Sequence, residues 1–195
     1  MNDQANKLRQ LNEMMSTSHS AILKPIKSQA RVITVTSGKG GVGKTNFTVA
    51  LAVSFARMGK KVLVIDADLG LSNVDVILGC SPPGNLLQVM QNGYSLNDVV
   101  ADGPLGIKFI SGGSGIYDLS NLSDIQLQYF LSQVGQFDSW ADVILIVTGA
   151  GLNRMVLNFV MAADEVIVIT TPEPTAVADA YAVIKTYASH GGIAP

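Results

Sequence analysis

Uninterrupted aliphatic and β-branched runs recur along the chain at Val32-Ile33-Thr34-Val35, Val62-Leu63-Val64-Ile65, Val143-Ile144-Leu145-Ile146-Val147 and Val166-Ile167-Val168-Ile169. Such runs, without polar alternation, are what strands buried on both faces require. Between them the apolar period lengthens to that of a helix. Phe47, Leu51, Phe55 and Met58 recur at helical spacing until Gly59 supplies a stop, and Ala176, Ala180, Val183, Ile184 and Tyr187 do so before His190-Gly191-Gly192. The middle of the chain is more broken. Pro82-Pro83-Gly84 interrupts it, small helices are expected over 86–90 and 96–100, a short strand over 107–110 and a packed helix within 118–136. Ser72 and Asp75 have the spacing of a capping box for a short helix over 73–78. Strands alternating with helices predict an α/β fold, an open, mostly parallel twisted sheet with helices on both faces.

Ahead of the first strand lies a different kind of segment. Ala5, Leu8, Leu11, Met14 and Met15 form an apolar stripe at helical spacing over residues 1–16, with Asn2 or Asp3 able to cap its start. A polar stretch follows, with Pro25 and Ser28, and reads as a linker over 17–30; the main domain is expected over 31–195. A helix this short is marginal alone, so it is expected to fold against a surface.

Chemistry concentrates after the first two strands. Gly38-Lys39-Gly40-Gly41-Val42-Gly43-Lys44-Thr45 fits the phosphate-loop pattern G-x-x-x-x-G-K-[ST], and it sits between a strand and a helix as that pattern needs. Its glycines let successive amides turn inward toward a polyphosphate at the positive end of the helix. Lys44 is placed to neutralise β- and γ-phosphates, and the Thr45 hydroxyl to ligate Mg²⁺; Asn46 completes the loop's approach. The second strand ends in Asp66-Ala67-Asp68-Leu69-Gly70. In an extended segment Asp66 and Asp68 share one side of the chain, at the strand end where ligands collect in open parallel sheets.

The form K-G-G-V-G-K-T, with Lys39 directly after the first glycine, resembles the deviant phosphate loop of the MinD/ParA family of ATPases. In that family the additional lysine reaches the nucleotide of a second subunit, which implies an ATP-dependent homodimer here. Asp66-Ala67-Asp68-Leu69-Gly70 is similar to the family's D-x-D-x-G motif, which implies that Asp68 positions the attacking water and Asp66 supports Mg²⁺ through its hydration shell. The stretch from Leu69 to Asp75 resembles the G-L-x-N-x-D continuation bordering the dimer face. Thr170-Thr171-Pro172-Glu173 resembles the family's T-x-P-E segment, making Pro172 and Glu173 candidates for adenine-side contacts; a plain strand-to-helix turn with proline in the first turn explains them about as well.

Asp3-Gln4-Ala5-Asn6-Lys7-Leu8-Arg9 looks like the D-Q-A-x-x-L-R signature of the flagellar branch, FlhG or FleN. In that branch the segment docks on the flagellar signal-recognition-particle-type GTPase FlhF and stimulates it. The resemblance implies Gln4 inserted at the partner's site, Ala5 and Leu8 buried against it, and Asp3 and Arg9 at the rim. Switch-complex proteins or a flagellar transcription regulator are further partners of the branch.

One position departs from the family. The strand at 143–147 ends in Val147-Thr148-Gly149-Ala150-Gly151, where the branch has D-T-G-A-G. Losing that aspartate removes a charge near Mg²⁺, so impaired hydrolysis is expected even where ATP binds. Asp142 stands at the other end of the strand, about 15 Å away at about 3.3 Å per residue, too far to substitute. The family's later strands and terminal amphipathic helix have no counterpart here, which gives the expectation of a C-terminally incomplete domain with an uncovered sheet edge.

Composition narrows the remaining classes. With 195 residues, 48% hydrophobic and 14% charged, the chain suits one α/β domain and not a disordered one. A net charge of −2 gives no general field for nucleic acid. Cys80 is alone, which excludes a disulfide framework and a cysteine zinc or iron–sulfur set and favours the cytoplasm. No apolar run approaches the ~18 residues of a membrane span, so membrane contact is expected to be peripheral, at the inner face of the cell membrane or the pole. The leading expectation is an ATPase that regulates flagellar number and placement. The alternatives are a ParA- or MinD-like ATPase of DNA segregation or division-site placement, and a non-hydrolysing, nucleotide-bound adaptor.

Overall fold

The structure, a computed structural model, describes residues 30–69, 72–113, 124–137 and 139–191. The expected helix at 1–16, with Asp3, Gln4, Ala5, Leu8 and Arg9, lies outside these, as does the linker up to residue 29. The described elements are β1 (Arg31–Ser37), α1 (Lys44–Arg57), β2 (Val62–Ala67), α2 (Val74–Leu78), α3 (Leu86–Asn92), α4 (Leu96–Val99), β3 (Ala101–Asp102), β4 (Lys108–Ile110), α5 (Asp124–Val134), β5 (Val143–Ala150), α6 (Arg154–Ala162), β6 (Glu165–Val168) and α7 (Pro174–Ser189). The strands form one sheet in the order β3-β4-β2-β5-β1-β6. All pairings are parallel except the two-residue β3 against β4. The expected α/β sheet is therefore present, and its central strands β2, β5 and β1 carry the apolar runs.

Alternate positions on the central strands feed two cores, as the two-residue period of a strand dictates. Val32, Leu63, Ile65, Ile144 and Ile146 join Leu86, Leu96, Phe130, Met155 and Phe159. Ile33, Val62, Val64, Leu145 and Val147 join Val49, Ala52 and Val74. The sheet is thus covered by α3 to α6 on one face and by α1 and α2 on the other. Phe130 and Phe159 meet edge to face, with centroids 5.6 Å apart and planes at 90°.

Two local expectations need correction. On α1 the buried residues are Lys44, Thr48, Val49 and Ala52, whereas Phe47 and Met58 are exposed. The loop delivers the helix with its small residues against the sheet, and close approach favours Ala52 and Thr48 over larger side chains. The capping box of Ser72 and Asp75 is not formed: Asn73 is the N-cap of α2, without a side-chain cap bond, and the Ser72 hydroxyl donates elsewhere, to Asp66. Capping boxes occur instead at Asn85 with Gln88 and at Ser95 with Asp98.

Candidate nucleotide-binding site

The carboxyl ends of β1, β2 and β5 converge on one place. β1 bulges between Val35 and Ser37, and the Gly151 amide donates to the Ser37 carbonyl at 3.0 Å, fixing the start of the loop against the end of β5. From there the chain turns through Gly41 and Gly43 at φ 76° and 93°, a region that disfavours side chains. Gly43 becomes the N-cap of α1, which starts at Lys44. A Cβ on Gly40, Gly41 or Gly43 would meet nothing within 4 Å, so the loop faces open space. Gly38 differs, because a Cβ there would collide with the backbone of Asp179 on α7.

Lys44 is the electrostatic centre of the loop. It is only 7% exposed, and its ammonium donates to Ser37 Oγ at 3.0 Å. Burial pulls its pKa below the usual lysine value, against the opposing pull of Asp68 and, less, Asp66. Ser37 Oγ donates in turn to the Lys39 carbonyl at 2.7 Å. A cation buried this far beside a loop lined by open amides is suited to an anionic ligand.

Asp68 is half-buried, and a Cβ on Gly149 would stand 3.4 Å from its Oδ1, so this carboxylate lies against the end of β5. Asp66 is occupied otherwise than expected. It has no exposed surface; Oδ1 accepts from the Asp68 amide at 3.0 Å, and Oδ2 accepts from the Ser72 hydroxyl and the Asn73 and Val74 amides at 2.8, 3.0 and 3.2 Å. Burial raises its pKa, and these hydrogen bonds oppose the rise. Its Oδ2 is thus filled by three protein donors, while Oδ1 accepts one, from the Asp68 amide.

Lys39 bonds to Glu173 Oε2 at 2.5 Å and reaches Thr175 Oγ1 at 3.5 Å, which brings the additional lysine and the segment of Pro172 and Glu173 together within one chain. Thr45 and Val42 are partly exposed at the mouth, and Asn46 is exposed. Among the described residues, no group of three or more His, Cys, Asp or Glu side chains could hold a metal alone. Mg²⁺ therefore fits here only with phosphate oxygens completing its shell around Thr45. Val147 is fully buried in the cluster with Val49, one helical turn beyond Thr45, so no charge stands where the family's aspartate would. Ser111 and Gly112 also belong to this end of the sheet, and no motif in the sequence marks them. Their contacts to Ser72 lie 39 and 40 residues away along the chain, and serine and glycine carry little signal alone.

A glycine loop joining the first strand to a helix, a buried lysine in its last turn and a carboxylate at the end of the neighbouring strand define a phosphate-loop nucleoside triphosphatase fold. Residues 30–189 match the AAA domain family. The antiactivator FleN of Pseudomonas aeruginosa is 43% identical over 155 residues, which are 80% of this chain and 55% of FleN. The flagellum site-determining protein YlxH of Helicobacter pylori is 38% identical over 95% of this chain and 62% of its own. Among solved structures, MinD in the Aquifex aeolicus MinC:MinD cell division complex superposes with a TM-score of 0.71 at 29% identity, covering 84% of this chain and 65% of that one. MinD of Pyrococcus horikoshii complexed with Mg-ADP gives a TM-score of 0.68 at 26% identity, over 85% of this chain and 67% of that one. The chain belongs to the MinD/ParA family, in its flagellar branch. It spans 55 to 62% of the length of the two flagellar relatives.

Proposed function

We propose that this chain is the ATP-binding core of a dimerisation switch that regulates flagellar number and placement. The observation that carries the reading is Lys44, a buried ammonium beside open, amide-lined space with Asp68 across from it. In this reading the amides of Gly40 to Thr45 and the Lys44 ammonium hold the β- and γ-phosphates, and Thr45 ligates Mg²⁺. Asp68 orients the attacking water, and Asn46, Pro172 and Glu173 border the nucleoside. Lys39 leaves Glu173 to reach the nucleotide of a second copy, so ATP adds contacts available only to the dimer and hydrolysis removes them. The flagellar assignment is supported by FleN and YlxH, and the Asp3 to Arg9 signature directs the proposal of FlhF as the stimulated partner. The apolar environment of Val147 favours slow turnover, so the switch holds its ATP state for long periods unless a partner intervenes.

The test combines ADP and ATP binding in the presence of Mg²⁺ with light scattering in ADP and in a slowly hydrolysed ATP analogue. Tight binding with a doubled mass only in the analogue is expected. No affinity for adenine nucleotide by a folded chain would refute the reading. Stimulation of FlhF GTPase activity that disappears in Gln4→Ala tests the partner, and a chain that binds ATP without it loses only that part.

A further inference from the structure

Asp66 collects four donors at the end of β2, more than it needs in order to be tolerated in a core. Its Oδ1 holds the Asp68 amide, while Oδ2 gathers the Ser72 hydroxyl and the first two amides of the α2 turn. The Ser72 hydroxyl is a junction. Besides donating to Asp66, its oxygen accepts from the Gly112 amide at 3.0 Å and lies 3.0 Å from Ser111 Oγ. These two residues stand just beyond β4, so Ser72 ties the segment after β2 to the neighbouring strand. The approach is close: a Cβ on Gly112 would stand 2.7 Å from the Asp66 carbonyl and 3.1 Å from that of Asp68. The backbone of Asp68 is thereby confined by a hydrogen bond on one side and by contact on the other.

We propose that Asp66 and Ser72 form a clasp that positions Asp68, setting its carboxylate toward Gly149 and Lys44 without either clasp residue touching the nucleotide or its metal. The inference rests on the hydrolytic reading above, and it assigns to this pair the regulation of that site's geometry. The charge on Asp66 is needed because all four partners are donors. An amide in its place presents its own N–H groups to one set of them, leaving buried donors unpaired. Release of Ser72 frees the loop that carries Asp68 while leaving Lys44 and the glycine loop in place, so chemistry suffers and binding does not.

The experiment uses Ser72→Ala, Ser72→Thr, Asp68→Asn and the double variant Ser72→Ala with Asp68→Asn. Three readouts are taken: single-turnover cleavage of Mg·ATP, ADP affinity with and without Mg²⁺, and amide hydrogen exchange in the absence of nucleotide. Ser72→Ala is expected to slow cleavage about tenfold with ATP affinity held within about twofold, and Ser72→Thr to restore the rate. In the Asp68→Asn background Ser72→Ala should slow cleavage by less than about twofold, since the two act as one unit. The Gly112, Asn73 and Val74 amides should exchange faster in Ser72→Ala, and the gain in ADP affinity from Mg²⁺ should persist. Wild-type rates in Ser72→Ala, full additivity in the double variant, unchanged exchange, loss of the Mg²⁺ effect, or a wild-type chain that binds Mg·ADP and never cleaves ATP would each overturn the clasp while sparing the nucleotide reading. A wild-type chain that binds no nucleotide overturns both.

Discussion

Val147→Asp replaces a fully buried side chain in the middle strand of the sheet, paired through Val35 on one side and Asp66 on the other. Removing the valine forfeits about 1.5–3 kcal/mol of apolar burial. The new carboxyl must then either stay charged among Ile33, Val49 and Leu145 or take up a proton. Protonating a group of ordinary pKa near 3.9 at pH 7 costs about 4 kcal/mol, which bounds the charge penalty. The sum, about 5–7 kcal/mol, approaches the whole stability of a small domain. A net loss of about 5 kcal/mol corresponds to a melting temperature lower by roughly 10–20 °C for a chain of this size. Mg·ADP should return much of that, because position 147 packs in one cluster with Val49, which stands one helical turn beyond Thr45, the proposed Mg²⁺ ligand. Thermal melts of both proteins in buffer, in ADP with chelator and in Mg·ADP measure the effect. We expect the Mg²⁺-dependent stabilisation to be larger in the variant by at least about 1.4 kcal/mol, the equivalent of tenfold tighter binding, and turnover to rise. Equal Mg²⁺ stabilisation in both proteins with unchanged turnover would refute the reasoning.

Further outcomes follow from other contacts. Lys39→Ala breaks an exposed ion pair with Glu173, so unfolding free energy should change by less than about 1 kcal/mol while light scattering shows loss of ATP-dependent association. Gly38→Ala drives a methyl into the Asp179 backbone and should cost about 1–3 kcal/mol in urea unfolding. Phe159→Ala empties the space edge-on to Phe130 and should cost about 3–5 kcal/mol in the same assay. The Asp98 carboxyl is held below its usual pKa by the Ser95 hydroxyl and amide. The folded pKa being the lower one, this cap contributes above the ordinary carboxylate pKa and is lost as pH falls through the folded value. NMR titration should show the depression disappear in part in Ser95→Ala.

The parts of the fold that were legible beforehand are those whose signal is local. The runs at Val32, Val62 and Val143 announced central strands because burial on both faces leaves no polar positions. Gly38 to Thr45 announced the loop because few other functions need that spacing. What was missed depends on residues meeting across the sheet. Helical spacing marks α1 but not its buried face, because the direction in which Gly43 launches the helix outweighs the size of Phe47 and Met58. Helix α6 went unread, although Asn153 caps it through the Val156 amide, because its apolar residues follow a strand end already crowded with motif. The spacing of Asp66 and Asp68 shows that both carboxylates share one side of an extended segment, but not the protein donors that Asp66 gathers. Its true neighbours, Ser72 and the amides beyond it, come from a turn that strand periodicity does not describe.

The absence of room between Gly38 and Asp179 joins two things usually considered apart. Because the first glycine of the loop already touches the second turn of α7, a shift of that glycine cannot be absorbed in a gap and must move the helix. On the outer side of the same helix, Val177, Tyr181 and Ile184 are exposed at successive turns. The same helix that closes on the start of the loop therefore presents an apolar strip about 10 Å away, across its own thickness.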